Sequence, residues 1–288
     1  MILAHVRSRG IDIVTADEMH RRLTQQNFSR RFACFTFDDG YRDNRDFALP
    51  AMREYDAPFT VYVANDFASG TGHLWWVALE RIIASAERID STIGDTAVRL
   101  DTRTVEQKQR AFSLIHNLLR GLPDDRDVAH ELGGLCVRYG DESIISAELC
   151  LSWDELKSFA ADPLVTIGAH TVSHCNLAKR SEEQALQEIT FSRTRIEAVL
   201  QRAVVHLAYP YGYRDAAGAR EFAMTKAAGF NTAVTTRPGM IFRENAEHPT
   251  ALPRISLNGN YQTARVLPVL TSGAATALWN GFRRIDIT

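Results

Sequence analysis

The stretch Cys34-Phe35-Thr36-Phe37-Asp38-Asp39-Gly40-Tyr41 constrains this chain more than any other. An apolar run rich in aromatic residues stops at two adjacent carboxylates and a glycine. That is the pattern of a buried strand whose end delivers both acids to a surface. Neighbouring acids repel, and the end of a buried strand raises the cost of ionising them. A bound cation relieves that cost; the alternative is an Asp-Gly pair that merely turns the chain.

A second constraint lies far along the sequence. Val165-Thr166-Ile167-Gly168-Ala169 is again an apolar run, and it leads into His170-Thr171-Val172-Ser173-His174. Histidines four apart on a helical turn or tight loop come within reach of one ion. One carboxylate with two histidines leaves a position open for water, the ligand arrangement of catalytic zinc. A protease of the His-Glu-x-x-His type is disfavoured, because this segment lacks the glutamate base.

The remaining pattern supplies a scaffold. Strands are expected at 11–14, 59–63, 204–209, 231–236 and 252–257, the last opened by Pro253. Helices are expected from Thr15, whose spacing to Glu18 reads as a capping box, at 46–56 with Pro50 complicating the start, at 181–200 and at 219–228. Strand alternating with helix predicts parallel pairing through crossover helices. Between about 70 and 152 the alternation gives way to helical patterning. There Trp75, Leu79, Ile82 and Ile83 share a stripe, and Thr104 and Gln107 open a helix that stops near Gly121-Leu122-Pro123. The expectation is one domain over 1–288 with a helical insertion at about 70–152. Trp75 and Trp76 read as core of that insertion rather than as a sugar-stacking platform.

Composition narrows the function classes. At 288 residues and 45% hydrophobic, the chain can bury a large core. A net charge of −2 argues against a polyanion-binding surface, so no nucleic-acid partner is expected. No apolar run reaches spanning length, and the first residues carry no secretion signal, so a cytoplasmic location is expected. The four cysteines, Cys34, Cys136, Cys150 and Cys175, show no Cys-x-x-Cys spacing and fit a reducing compartment. Cys175 reads as a packing residue rather than a ligand. Oligomeric state is not legible.

Thr36-Phe37-Asp38-Asp39-Gly40-Tyr41 and His170-Thr171-Val172-Ser173-His174 resemble the first two motifs of the polysaccharide deacetylases, carbohydrate esterase family four. Ala208-Tyr209-Pro210-Tyr211-Gly212 is similar to that family's Arg-x-Pro-Tyr block, with Ala208 where arginine is usual. The resemblance runs over roughly 32–257. It implies an incomplete (β/α) barrel of about seven parallel strands, with the motif residues together at one end. It further implies a divalent metal, most simply zinc, held by Asp39, His170 and His174, with Asp38 as general base and the Tyr211 N–H as oxyanion donor. Tyr41, Pro210 and Tyr211 are expected against an acetylated carbohydrate substrate. Thr171 and Ser173 are candidates to orient the ligands from behind.

Two departures from the family pattern matter. With alanine at 208, Arg254 becomes the candidate to orient the base from a neighbouring strand. The family's late Leu-x-His block, which supplies a general acid, has no clear counterpart. Either Asp38 passes on the proton it accepts, or His248 reaches the cleft. Three readings therefore compete: a metal-dependent hydrolase removing N-acetyl groups from an amino sugar, oligosaccharide or polysaccharide; a catalytically weak carbohydrate-binding relative; and a metal hydrolase of another amide or an O-acetyl ester.

Overall fold

The computed structural model describes residues 1–140, 146–259 and 263–287. The chain divides into two compact units, Met1–Ser69 with Cys150–Thr288, and Gly70–Leu149. Residues 141–145, which fall in the expected insertion, lie outside the described residues.

The first unit is built on a parallel sheet. Its strands are β3 (Phe35–Phe37), β4 (Phe59–Val63), β7 (Val165–Ala169), β8 (His206–Ala208), β9 (Thr232–Pro238) and β10 (Leu252–Arg254), in the order β10-β9-β8-β7-β4-β3. Ahead of β3, β1 (Asp12–Ile13) pairs in parallel with β2 (Phe32–Ala33). Only Cys34 separates β2 from β3, so residues 32–37 run as one extended segment with β1 on one side and β4 on the other. Counted that way, the described residues form the seven parallel strands expected. The last strand is shorter than the 252–257 anticipated and ends at Arg254.

Burial explains why these segments are strands. All five residues of β4 are buried, as a strand covered on both faces requires. Phe59, Val61, Ile167, Leu207 and Ala233 join one large core with Ile189 and Ile196 of the crossover helix Glu182–Leu200. Each such side chain contributes about 1.5–3 kcal/mol. A smaller core joins Tyr62, Ala208, Val234 and Leu252, from β4, β8, β9 and β10, to Val14, Met19 and Leu23 beside and within the helix Ala16–Thr24. Side chains from non-adjacent strands meet there because the sheet curls. Gly168 of β7 is required by that packing, since a Cβ would lie 2.4 Å from the Tyr62 ring.

Local signals mostly hold. Thr15 caps its helix by accepting the Glu18 N–H, but the Glu18 carboxylate turns to Arg21 and Arg22, so only half of the expected capping box forms. Ser152 and Glu155 form a full box at Trp153–Phe159. Pro50 sits in the first turn of the helix Leu49–Arg53, and the five residues before it, Asn44–Ala48, take a π-helical turn. Proline cannot donate an N–H, so the wider turn falls where the ladder is already interrupted.

The second unit holds the helices Trp75–Ser85, Val105–Gly121 and Asp125–Tyr139, with Leu79, Ile82, Ile115, Leu119 and Leu135 buried. Trp75 is buried there, in keeping with its reading as core. The unit is not wholly helical. β5 (Arg88–Ile93) and β6 (Thr96–Asp101) form an antiparallel hairpin turned by Gly94-Asp95. Helical patterning hid it, because β5 buries only Ile89 and Ile93 and shows little alternation.

Candidate metal centre and active site

Asp38 and Asp39 follow β3, and His170 follows β7, so both arrive at the C-terminal ends of parallel strands, where barrel folds keep their reactive groups. His170 Nε2 lies 3.5 Å and His174 Nε2 3.2 Å from the same oxygen, Asp39 Oδ1. Both imidazoles are buried, with edge-to-face rings 4.9 Å apart. Phe67 stacks on the His174 ring, and Tyr211 meets it edge-on.

Hydrogen bonding sets the tautomer of His170. Its Nδ1 lies 2.7 Å from the Ala208 carbonyl, which can only accept, so Nδ1 carries the hydrogen and donates it. In its neutral form His170 then aims the Nε2 lone pair at a carboxylate oxygen. Asp39 Oδ1 is itself buried and without a hydrogen-bond partner. Lone pairs facing one another around a buried carboxylate need a cation between them. Ligand atoms about 2.0–2.1 Å from a tetrahedral zinc stand about 3.3 Å from each other, close to the 3.2 and 3.5 Å found here. The three ligand atoms form a possible metal site, and both its donor set and its spacing fit a divalent ion.

The same electrostatics appear in the acids. Burial pushes the Asp39 carboxyl up, but His174 and His170 outweigh it and hold the group well below the usual carboxylate range. Burial also opposes ionisation of Asp38, and Arg254 overcomes it, leaving Asp38 lowered as well. Arg254 Nη1 and Nη2 lie 2.8 and 2.7 Å from Asp38 Oδ1 and Oδ2. Its Nε donates to the Thr235 carbonyl and its Nη1 also to Thr36 Oγ1, so the fork is held from behind.

Backbone strain concentrates at this end of the sheet. Of the eight non-glycine residues with positive φ among those described, four are Asp39, Thr171, His174 and Tyr211. Each costs about 1–3 kcal/mol and persists only where its surroundings enforce it. At Asp39 the restraint comes from Cys150 and Leu151: Leu151 N–H donates to the Gly40 carbonyl, and Tyr41 bridges Cys150. Around Tyr211, Thr236 Oγ1 donates to the Tyr211 carbonyl and Thr236 N–H to that of Gly212. A Cβ on Gly212 would come within 2.5 Å of Thr236 N. Pro210 is buried in this turn, and Tyr41 and Tyr211 are half-buried.

Asp38, Asp39, His170, His174, Tyr211 and Arg254 are thus linked by contacts at one end of the sheet. His248 is not among them. It precedes β10 and so lies toward the N-terminal ends of the strands, away from Arg254 at the other end of β10. The Thr171 hydroxyl is buried without a hydrogen-bond partner and orients neither imidazole, while Ser173 Oγ donates to Glu188. Burial pushes the Cys175 thiol up to about 12, and the residue packs in the large core. Sequence reasoning missed the Ala208 carbonyl, Phe67 and Glu188. A backbone carbonyl has no sequence signature, and the other two contacts join residues far apart in the chain.

A curled parallel sheet with helical crossovers makes an incomplete (β/α) barrel, with an Asp-His-His cluster at its strand ends. Among solved structures the fold is similar to the Streptococcus pyogenes deacetylase PplD in complex with acetate, at 16% identity over 94% of this chain and 83% of that one, TM-score 0.59. It is also similar to IcaB from Ammonifex degensii, at 16% identity over 95% and 86%, TM-score 0.56. A third is the BpsB deacetylase domain from Bordetella bronchiseptica, at 12% identity over 88% and 81%, TM-score 0.53. These identities speak for the fold alone. The family model for polysaccharide deacetylase matches residues 123–231, which include His170, His174 and Tyr211. No curated protein matches the chain. No helix among the described residues is long and apolar enough to cross a membrane.

Proposed function

We propose that the protein is a metal-dependent hydrolase that removes N-acetyl groups from an amino sugar, oligosaccharide or polysaccharide. The observation that carries this reading is the convergence of two buried imidazoles on Asp39 Oδ1, beside an Asp38 carboxylate gripped at both oxygens by Arg254. A divalent cation, most simply zinc, held by Asp39, His170 and His174 supplies Lewis-acid polarisation of the acetyl carbonyl and eases ionisation of water. Asp38 takes the proton from the attacking water. Arg254 keeps that carboxylate ionised and aimed, leaving the remaining lone pair of an Asp38 oxygen to receive the proton. The Tyr211 N–H stabilises the oxyanion, in a turn stiffened by Thr236. Asp38, once protonated, delivers the proton to the departing amine, which needs no second acid. The half-buried Tyr41 and Tyr211 contact the sugar, with the buried Pro210 shaping the turn beneath. The product is acetate, the molecule bound in the structurally similar deacetylase PplD.

The test is acetate release from chitooligosaccharides by zinc-loaded and chelator-stripped protein. Release that depends on the metal and disappears in Asp38→Asn is expected. Absence of release from N-acetylated sugars, with O-acetyl esters cleaved instead, overturns the N-acetyl assignment.

A further inference from the structure

The loop joining the two histidines is held by a group outside the ligand set. Thr171 and His174 carry φ of 64° and 57°, so the chain turns through left-handed backbone on the way from one imidazole to the other. Such backbone needs an outside restraint to stay in one arrangement. The loop is gripped on two sides. On one, Asn65 and Asp66 N–H donate to the carbonyls of Thr171 and Val172 at 3.3 and 2.9 Å, with Phe67 stacked on His174. On the other stands Glu188. Its Oε2 accepts the Val172 and Ser173 N–H at 2.8 and 2.9 Å, and its Oε1 accepts the Ser173 hydroxyl at 2.8 Å.

Two successive backbone N–H groups form a concavity suited to an anion, and here one carboxylate fills it with three charge-assisted bonds. The helix Glu182–Leu200 that carries Glu188 is anchored by the fully buried Ala185 and Ile189. The carboxylate therefore ties the loop to the core of the unit.

We infer that Glu188 is a positioning residue for the metal centre. It fixes residues 171–173 so that His170 and His174 present both Nε2 atoms to Asp39 before any ion arrives. This rests on the metal reading above, and the experiment separates the two.

Three variants make the test. Glu188→Gln keeps an oxygen for the two N–H groups and offers its amide to Ser173 Oγ. Glu188→Asp keeps the charge but loses reach by one methylene, and Glu188→Ala removes all three bonds. Zinc affinity is measured by chelator competition, the visible spectrum is recorded with cobalt(II), and metal-free thermal unfolding is followed for each protein. The expected result is affinity weakened about 10–100-fold in the alanine and aspartate variants, the range for groups that support ligands. Their cobalt spectra are altered, their metal-free unfolding stays cooperative, and the glutamine variant stays within about threefold of wild type. Wild-type affinity and spectrum in Glu188→Ala overturn the proposal and leave the metal reading intact. Should the alanine variant fail to fold, wild-type affinity in Glu188→Asp overturns it equally. A wild-type protein that binds neither zinc nor cobalt overturns the metal reading and this proposal with it.

Discussion

Arg254 grips Asp38 through both guanidinium nitrogens, at 2.8 and 2.7 Å, across a gap that the sheet order makes as wide as it can be. Asp38 follows β3 and Arg254 ends β10, and these strands are the two edges of the six-stranded sheet. The pair therefore joins the edges of a curled sheet that has no backbone pairing between them among the described residues. On the proposed mechanism, Arg254 would take the orienting role that the family pattern gives to an arginine at position 208, where this chain has alanine. The small side chain there packs in the interior with Tyr62 and Val234, while its carbonyl orients His170.

Replacing Arg254 should accordingly affect chemistry and fold together. Arg254→Ala is expected to lower kcat by about 10²-fold, the scale of misplacing a catalytic group, and to lower the melting temperature. Arg254→Lys keeps the charge but not the fork, and should recover stability more than rate. Steady-state kinetics beside thermal unfolding of both variants checks this. Equal recovery of rate and stability in the lysine variant would remove the orienting role.

The two adjacent acids should fail differently. Asp39 faces two imidazoles, and Asp38 faces an arginine. Asp38→Asn is expected to keep metal and lose about 10²–10⁴-fold in turnover, the range for a general base. Asp39→Asn should lose metal affinity first and regain part of its activity in excess zinc. Metal content by elemental analysis, with kcat at saturating zinc, separates them, and reversed phenotypes would swap the roles.

Removing one imidazole tests the cluster as a unit. His170→Ala or His174→Ala leaves two donors, too few to hold a divalent ion tightly. Wild-type protein is expected to gain thermal stability on adding zinc, and each variant to lose that gain. An unchanged zinc-dependent shift in melting temperature in either variant would put the ion elsewhere.

Much of this was legible because parallel strands write themselves as apolar runs. Phe59–Val63 and Val165–Ala169 are such runs, and the residues at their C-terminal ends follow directly. Asp38 and Asp39 follow the neighbouring strand Phe35–Phe37, and His170 follows Val165–Ala169, so motif and topology pointed to one place. What stayed hidden was long-range or backbone-borne. The Ala208 carbonyl carries no side-chain signal, and the Glu188 carboxylate reaches back about four helical turns of sequence. The β5–β6 hairpin escaped because two half-exposed strands bury too few residues to break a helical pattern.

Glu155 gives the pH dependence of the segment behind the site. It accepts from Ser152 N–H and pairs with Arg42 and Arg45, which follow the Asp38-Asp39 turn. The hydrogen bond from Arg42, with those from Ser152 and Arg45, holds its carboxyl far below the ordinary value of 4.5. A depressed folded pKa stabilises the fold above the unfolded value and loses that stabilisation as pH falls through the folded one. Glu155→Gln keeps the capping-box oxygen but loses the charge facing Arg42 and Arg45, so it should cost about 0.5–1 kcal/mol at neutral pH, the scale of partly exposed ion pairs. The difference from wild type should shrink as pH drops below about 4. Denaturant unfolding across pH 2–7, about the range that brackets these values, checks it; a constant difference would exclude the charge.

The last prediction concerns the proton that must reach the leaving amine. An amine departs poorly unless protonated, so some group has to donate. His248 is the one histidine near the last strand, yet it precedes β10, whereas Arg254 ends that strand beside Asp38. Parallel strands put those two positions at opposite ends of the sheet. On the proposed mechanism, Asp38, protonated as water attacks, is the group that donates. His248→Ala should then change kcat on an N-acetylated sugar less than about threefold, well under the 10²–10⁴ lost with a true acid. Because base and acid are one group, Asp38→Asn should depress hydrolysis of the amide more than that of an O-acetyl ester, whose alkoxide leaves with less help. Paired kcat measurements on both substrates decide it. A thousandfold fall in amide hydrolysis in His248→Ala, with the ester spared, would make the histidine the acid and require the 248 segment to move.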